Sequence, residues 1–144
     1  MDEESKEEKS VGAIVVNERN EYLLLCRADK GDNLWEFPKG HQIGDETDMA
    51  TMRRELEEEC GITDFELIEG FKEDNRYVNS RGVRRLIVMY MIRVRNPAIR
   101  LSSEHKAYEW LDYGSAVKRL NHHNWLGVIA KAEALLSSQS KQSA

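Results

Sequence analysis

Two short apolar runs, Val11 to Val16 and Tyr22 to Cys26, flank the polar turn Asn17-Glu18-Arg19-Asn20 and predict a pair of strands. Trp35-Glu36-Phe37 predicts a third, short strand, because Pro38 lacks the N–H a ladder needs and Gly40 follows closely. Gly31, Asp32 and Asn33 mark the loop before it. From Asp45 to Cys60 the apolar positions recur at helical spacing, and Gly61 supplies a stop. Phe65 to Phe71 and Arg76 to Asn79 read as further strands, with a turn at Ser80-Arg81-Gly82. Leu86 to Ile92 is apolar without alternation, the pattern of a central strand covered on both faces. Tyr108 to Leu111 is one more strand, and Ser115 to Leu136 holds one or two helices. Strands interleaved with helices around a two-sided sheet predict an α/β layered fold.

Residues 1–10 and 137–144 are polar and carry almost nothing to bury, so both termini are expected to be disordered around one domain spanning 11–136. Composition changes the picture in three ways. With 144 residues, 40% of them hydrophobic, the chain can build one core. No apolar run reaches the roughly 18–20 residues of a membrane span, and the acidic N-terminus is unlike a signal peptide, so a cytoplasmic protein without membrane contact is expected. The two cysteines, Cys26 and Cys60, lack metal-site spacing and suit a reducing compartment, and a net charge of −5 disfavours bulk attraction to nucleic acid.

The helix from Asp45 to Cys60 carries the chemistry. At 100° per residue, Glu55, Glu58 and Glu59 fall within about 100° of one another, beside an apolar stripe of Met49, Met52, Leu56 and Cys60. Like charges about 4 Å apart repel by roughly 1 kcal/mol in water and about 4 at an effective dielectric near 20. A hard divalent cation converts that repulsion into binding, because Mg²⁺ and Mn²⁺ favour oxygen ligands. A solvated acidic face is the alternative for three glutamates alone. The wider spacing separates the two: Gly40, five residues, Glu46, seven residues, then Arg54-Glu55-Leu56-x-Glu58-Glu59-x-Gly61-Ile62. A chance match to such a pattern is on the order of one in a million at ordinary residue frequencies.

That pattern resembles the Nudix hydrolase superfamily. The resemblance implies a mixed β-sheet sandwiched between α-helices and hydrolysis of a nucleoside diphosphate linked to another group, with Mg²⁺ (or Mn²⁺ in its place) on the box helix. It also implies that Glu55, Glu59 and the Gly40 carbonyl ligate metal, that Glu58 orients or deprotonates the attacking water, and that Arg54 and Glu46 brace loop against helix. Which carboxylate is the base differs between members. The flanking segments Trp35 to His41 (WEFPKGH), Glu69 to Phe71 (EGF) and Leu101 to Leu111 (LSSEHKAYEWL) resemble the asymmetrical diadenosine tetraphosphate hydrolases. By that resemblance Glu104 reaches the metal site and the products are ATP and AMP.

A dinucleoside polyphosphate needs cations and stacking platforms. Lys39 and His41 at the mouth of the site, and Arg81 and Arg85 around the Ser80–Gly82 turn, are the candidate phosphate contacts, with Tyr77 the candidate adenine platform. RNA pyrophosphohydrolases share the Phe-Pro-Lys-Gly approach, so an RNA 5′ end is the rival substrate, and a non-catalytic nucleotide sensor is the rival of another class. A single copy of the chain is the expected working unit. Family members carry a Tyr in the central strand; here one register step puts Tyr90 on the opposite face.

Overall fold

The computed structural model describes residues 7–29, 34–95, 97–120 and 124–143, together with the side chains of all but 124 and 140–143 among them. The expected loop at Gly31–Asn33, residues 1–6 and the pair His122 and His123 lie outside those described.

Eight strands and three helices are described. β1 (Glu7–Val16) is the centre of the sheet, running parallel to β7 (Arg84–Arg93) over its whole length. Its other edge is divided: β4 (Lys39–His41) pairs antiparallel with Ser10 to Gly12, and β2 (Tyr22–Arg27) takes over at Val16. β2 in turn pairs with β3 (Trp35–Glu36) and β8 (His105–Leu111). β5 (Glu66–Leu67) and β6 (Glu73–Val78) are both antiparallel to β7. One parallel pair among antiparallel ones makes the sheet mixed.

Strand alternation decides which helix each face receives. Val11, Ala13 and Val15, with Leu23, Leu25, Val88 and Ile92, face α1 (Asp48–Cys60) and its Met52, Leu56 and Cys60. Ile14, Leu24, Phe37, Ile87 and Met89 face the other way, onto α2 (Tyr113–Arg119) and α3 (Asn124–Ser143), which supply Ala116, Trp125, Ile129 and Ala132. The α/β sandwich expected from the pattern is therefore present. Tyr90 lies on the α1 face, where its hydroxyl donates to Asp48 Oδ2 at 2.9 Å. Lys9 Nζ and Gln42 Nε2 bond the same carboxylate at 2.8 and 3.0 Å, so Asp48 ties α1 to β1, β7 and the loop after β4.

Several boundaries differ from the sequence expectations. Residues 7–10 are not disordered; they extend β1, because Glu7 and Glu8 pair in register with Arg84 and Arg85 and opposite charges face each other. Residues 137–143 are not a disordered tail: they continue α3 as helix. α1 begins three residues late, since Thr47 adopts extended backbone and its hydroxyl accepts from the Ala50 amide at 3.1 Å. It ends where expected, at Gly61 with φ 72°. The Phe65–Phe71 segment contributes only the two residues of β5. Among the described residues no helix is long and apolar enough to cross a membrane. Cys26 and Cys60 are buried on opposite faces of the sheet.

Candidate active site

The β1–β4 ladder is what delivers Lys39, Gly40 and His41 to α1. Gly12 opposes Lys39, and a Cβ on Gly12 would collide with the Pro38 carbonyl, so only glycine lets the chain pass this close. Gly40 meets α1 in the same way: a Cβ there would strike the Glu55 carboxylate. The amide of Lys39 donates to Glu59 Oε1 at 3.1 Å.

α1 sends its three glutamates to graded depths. Glu59 is buried, with 5% of its surface exposed. The side chain of Glu55 is 12% exposed and that of Glu58 53%. Burial, with the negative charges of Glu55 and Glu36, pushes the Glu59 carboxyl up to about 8. Burial also raises the Glu55 carboxyl; the Arg54 bond opposes it, while Glu58 and Glu104 add to it. Arg54 binds both ends of the loop. It grips Glu46 through Nε and Nη2 at 2.8 and 3.0 Å, donates to the His41 carbonyl at 2.8 Å, and reaches Glu55 at 2.6 Å and Glu58 at 3.2 Å. Arg54, with the Ile43 amide and the Thr51 hydroxyl, holds the Glu46 carboxyl down at about 2.

A cleft of about 640 Å³ is lined by Gly40, Glu55, Glu58, Glu59 and Glu104 together with Lys39, His41 and Arg85. Beside it lies a second cavity of about 320 Å³, lined by Leu34, Asn75, Tyr77, Ile87 and Trp125. Arg27, Lys39, His41 and Arg85 border both. Of the expected site residues two line neither cavity: Glu46, which is held behind the cleft by Arg54, and Arg81. Arg81 sits exposed at the tip of the β6–β7 turn, where its amide bonds the Asn79 side chain. Sequence reasoning missed Arg27, Glu36 and Trp125. Trp35 is covered by the Arg119 guanidinium 4.7 Å from its ring, while Trp125 packs edge-on against Phe37 and reaches the second cavity.

The donor set fits a hard divalent cation in kind: four carboxylates, all oxygen donors, line the cleft beside Gly40, two of them with carboxyls that burial and mutual repulsion have raised. Among the described residues no three such side chains already converge on one point, and Arg54 meanwhile supplies positive charge to Glu55 and Glu58.

The NUDIX domain family matches residues 6–132. The chain is 40% identical over 126 residues to the asymmetrical bis(5'-nucleosyl)-tetraphosphatase of Mus musculus, covering 85% of this chain and 84% of that protein. It is 34% identical over 128 residues to the Rattus norvegicus protein of the same name, covering 86% of each. The fold superimposes on a crystal structure of a C. elegans Ap4A hydrolase binary complex with a TM-score of 0.83 at 25% identity, covering 91% of this chain and 98% of that one.

Proposed function

This chain belongs to the NUDIX domain family, and from that premise we propose that it is a Mg²⁺-dependent hydrolase of the cytoplasm that splits diadenosine tetraphosphate asymmetrically into ATP and AMP. The observation that carries the reading is the pair of neighbouring cavities that share Arg27, Lys39, His41 and Arg85. An oxygen-lined cleft suits the reacting phosphates, and the adjoining cavity with Tyr77 and Trp125 suits a nucleobase.

Glu55, Glu59, Glu104 and the Gly40 carbonyl are the residues that would hold the ion. When bound, Mg²⁺ neutralises phosphate oxygens and acidifies water. Glu58 is the base: it is the most exposed of the three helix carboxylates, so it reaches a cleft water, whereas Glu59 is buried and committed to the Lys39 amide. Water attacks phosphorus, its proton passes to Glu58, and the P–O bond to the departing phosphate breaks. Arg54 keeps Glu55 and Glu58 aligned while Glu46 fixes Arg54. Lys39, His41 and Arg85 bind the phosphate chain, and Tyr77 stacks on adenine.

The test is a comparison of kcat/KM for diadenosine tetraphosphate and for a 5′-triphosphorylated RNA, both with Mg²⁺. A preference of at least tenfold for the dinucleotide is expected. Preference for the RNA would make the chain an RNA pyrophosphohydrolase, and binding of nucleotide without turnover of either would make it a sensor.

A further inference from the structure

Glu36 stands between two buried aromatic positions and is itself 7% exposed, a place where a carboxylate needs partners. Its partners come from three elements. His105, the first residue of β8, contacts Glu36 Oε2 through Nε2 at 2.9 Å and is fully enclosed. Lys39 Nζ lies 3.7 Å from Oε1, and Arg27 Nη1 lies 3.5 Å from Oε2. The Arg27 contact is a long hydrogen bond and the Lys39 contact an ion pair without one, so both are weaker than the His105 bond. Both cations border the carboxylate cleft and the aromatic cavity at once.

Backbone geometry brings Arg27 to that border. The β2–β8 ladder slips between Cys26 and Arg27, so that Arg27 pairs with His105, and the next amide, of Ala28, bonds the Glu104 carbonyl at 2.9 Å. Such a slip re-aims the side chain beyond it. Asp29, 58% exposed, takes Nε and Nη2 at 2.8 and 3.0 Å on the solvent side, leaving the Nη1 edge to Glu36. A phosphate chain running from the carboxylates to the aromatic cavity has to cross the residues common to both, Arg27 among them.

We propose that Arg27 is a phosphate-chain contact of this hydrolase, and that Glu36, braced by His105, is the positioning residue that sets Arg27 and Lys39 side by side at the passage between the two cavities. The proposal rests on the reading of the site as a polyphosphate hydrolase. Arg27 supplies a planar fork that matches phosphate oxygens, Lys39 a point charge beside it, and Glu36 keeps the two cations from repelling each other apart.

Calorimetry with inorganic tripolyphosphate in excess Mg²⁺, together with steady-state kinetics on diadenosine tetraphosphate, tests this on the full chain. Arg27→Ala and Glu36→Gln are each expected to weaken tripolyphosphate binding and raise KM about tenfold, the low end of what one hydrogen bond to a charged group contributes. Turnover stays within about twofold, because the contact is made in ground and transition states alike. Arg27→Lys restores part of the affinity, and Arg95→Ala, on the far β5 side with Glu66, changes nothing. A merely structural Glu36 would lower the melting temperature without touching KM. If Glu36→Gln does not fold, Arg27→Ala and Arg27→Lys carry the test alone. Tripolyphosphate binding within twofold of wild type in Arg27→Ala, or no binding by the wild type, overturns the proposal. Loss of tripolyphosphate binding in a chain that leaves the dinucleotide intact would instead sink the substrate reading and leave the contact standing.

Discussion

Removing the charge of Glu59 without removing its shape isolates the electrostatic strain of the cleft. In the metal-free protein its carboxyl stands at about 8, against 4.5 for a free glutamate, because it is buried beside Glu55 and Glu36, and the hydrogen bond from the Lys39 amide offsets only part of that. The folded chain therefore holds a proton that the unfolded chain has released, and stability falls as pH rises from 4.5 towards 8. At about 1.4 kcal/mol per pH unit the full difference amounts to about 5 kcal/mol. Even half of it moves the midpoint of thermal unfolding by about 5–10 °C in a chain of this size. Glu59→Gln keeps an acceptor for the Lys39 amide and carries no proton to lose. Melting curves of both proteins in EDTA at pH 5 and pH 8.5 should diverge, with wild type falling below the variant at the higher pH. Saturating Mg²⁺ at pH 8.5 should then raise the wild type and close the gap, since the ion binds the ionised form. A difference between the two proteins that is the same at both pH values would refute the reasoning.

Other expectations follow from single contacts. Tyr90→Phe deletes one bond to Asp48 and leaves those from Lys9 and Gln42, so differential scanning calorimetry should register a loss of about 1 kcal/mol with Mg²⁺-dependent turnover nearly intact. Gly40→Ala drives a methyl group against the Glu55 carboxylate, a flexible end that can move; the fold survives, while divalent-ion affinity by calorimetry should fall at least tenfold. Glu46→Gln loses a brace whose carboxyl titrates near 2 in the folded chain: the melting-temperature gap to wild type should be widest above pH 4.5 and narrow as pH drops towards 2. Met52→Ala opens a cavity in a fully buried position, and urea unfolding should show about 2–5 kcal/mol less stability.

The parts of this protein that a single sequence discloses are those governed by local period. The 3.6-residue repeat in α1 marks both its apolar stripe and its row of glutamates, and the strands β1, β2 and β7 announce themselves by their apolar runs. Where polar residues gain long-range partners, the same reading fails. Glu7 and Glu8 look solvated until Arg84 and Arg85 are set opposite them by the parallel β1–β7 ladder. Asp45 and Glu46 look helical, yet Thr47 wins as cap and leaves Glu46 in the loop where Arg54 finds it. The Glu36–His105 pair spans 69 positions, and no spacing rule reaches across it. A lone acid between two aromatics in a short strand was the available signal, since a charge so placed must be paired. Trp125 likewise enters the site through α3, whose docking is decided by the opposite face of the sheet.

Hydrolysis of diadenosine tetraphosphate in ¹⁸O-labelled water, with Mg²⁺ and mass spectrometry of the products, tests the central claim most directly. Equal amounts of ATP and AMP are expected, with one ¹⁸O atom on a phosphate of one product, and with turnover at least a hundredfold lower in Glu58→Gln, consistent with the contribution of a general base. Two molecules of ADP, or turnover in Glu58→Gln equal to wild type, would contradict it.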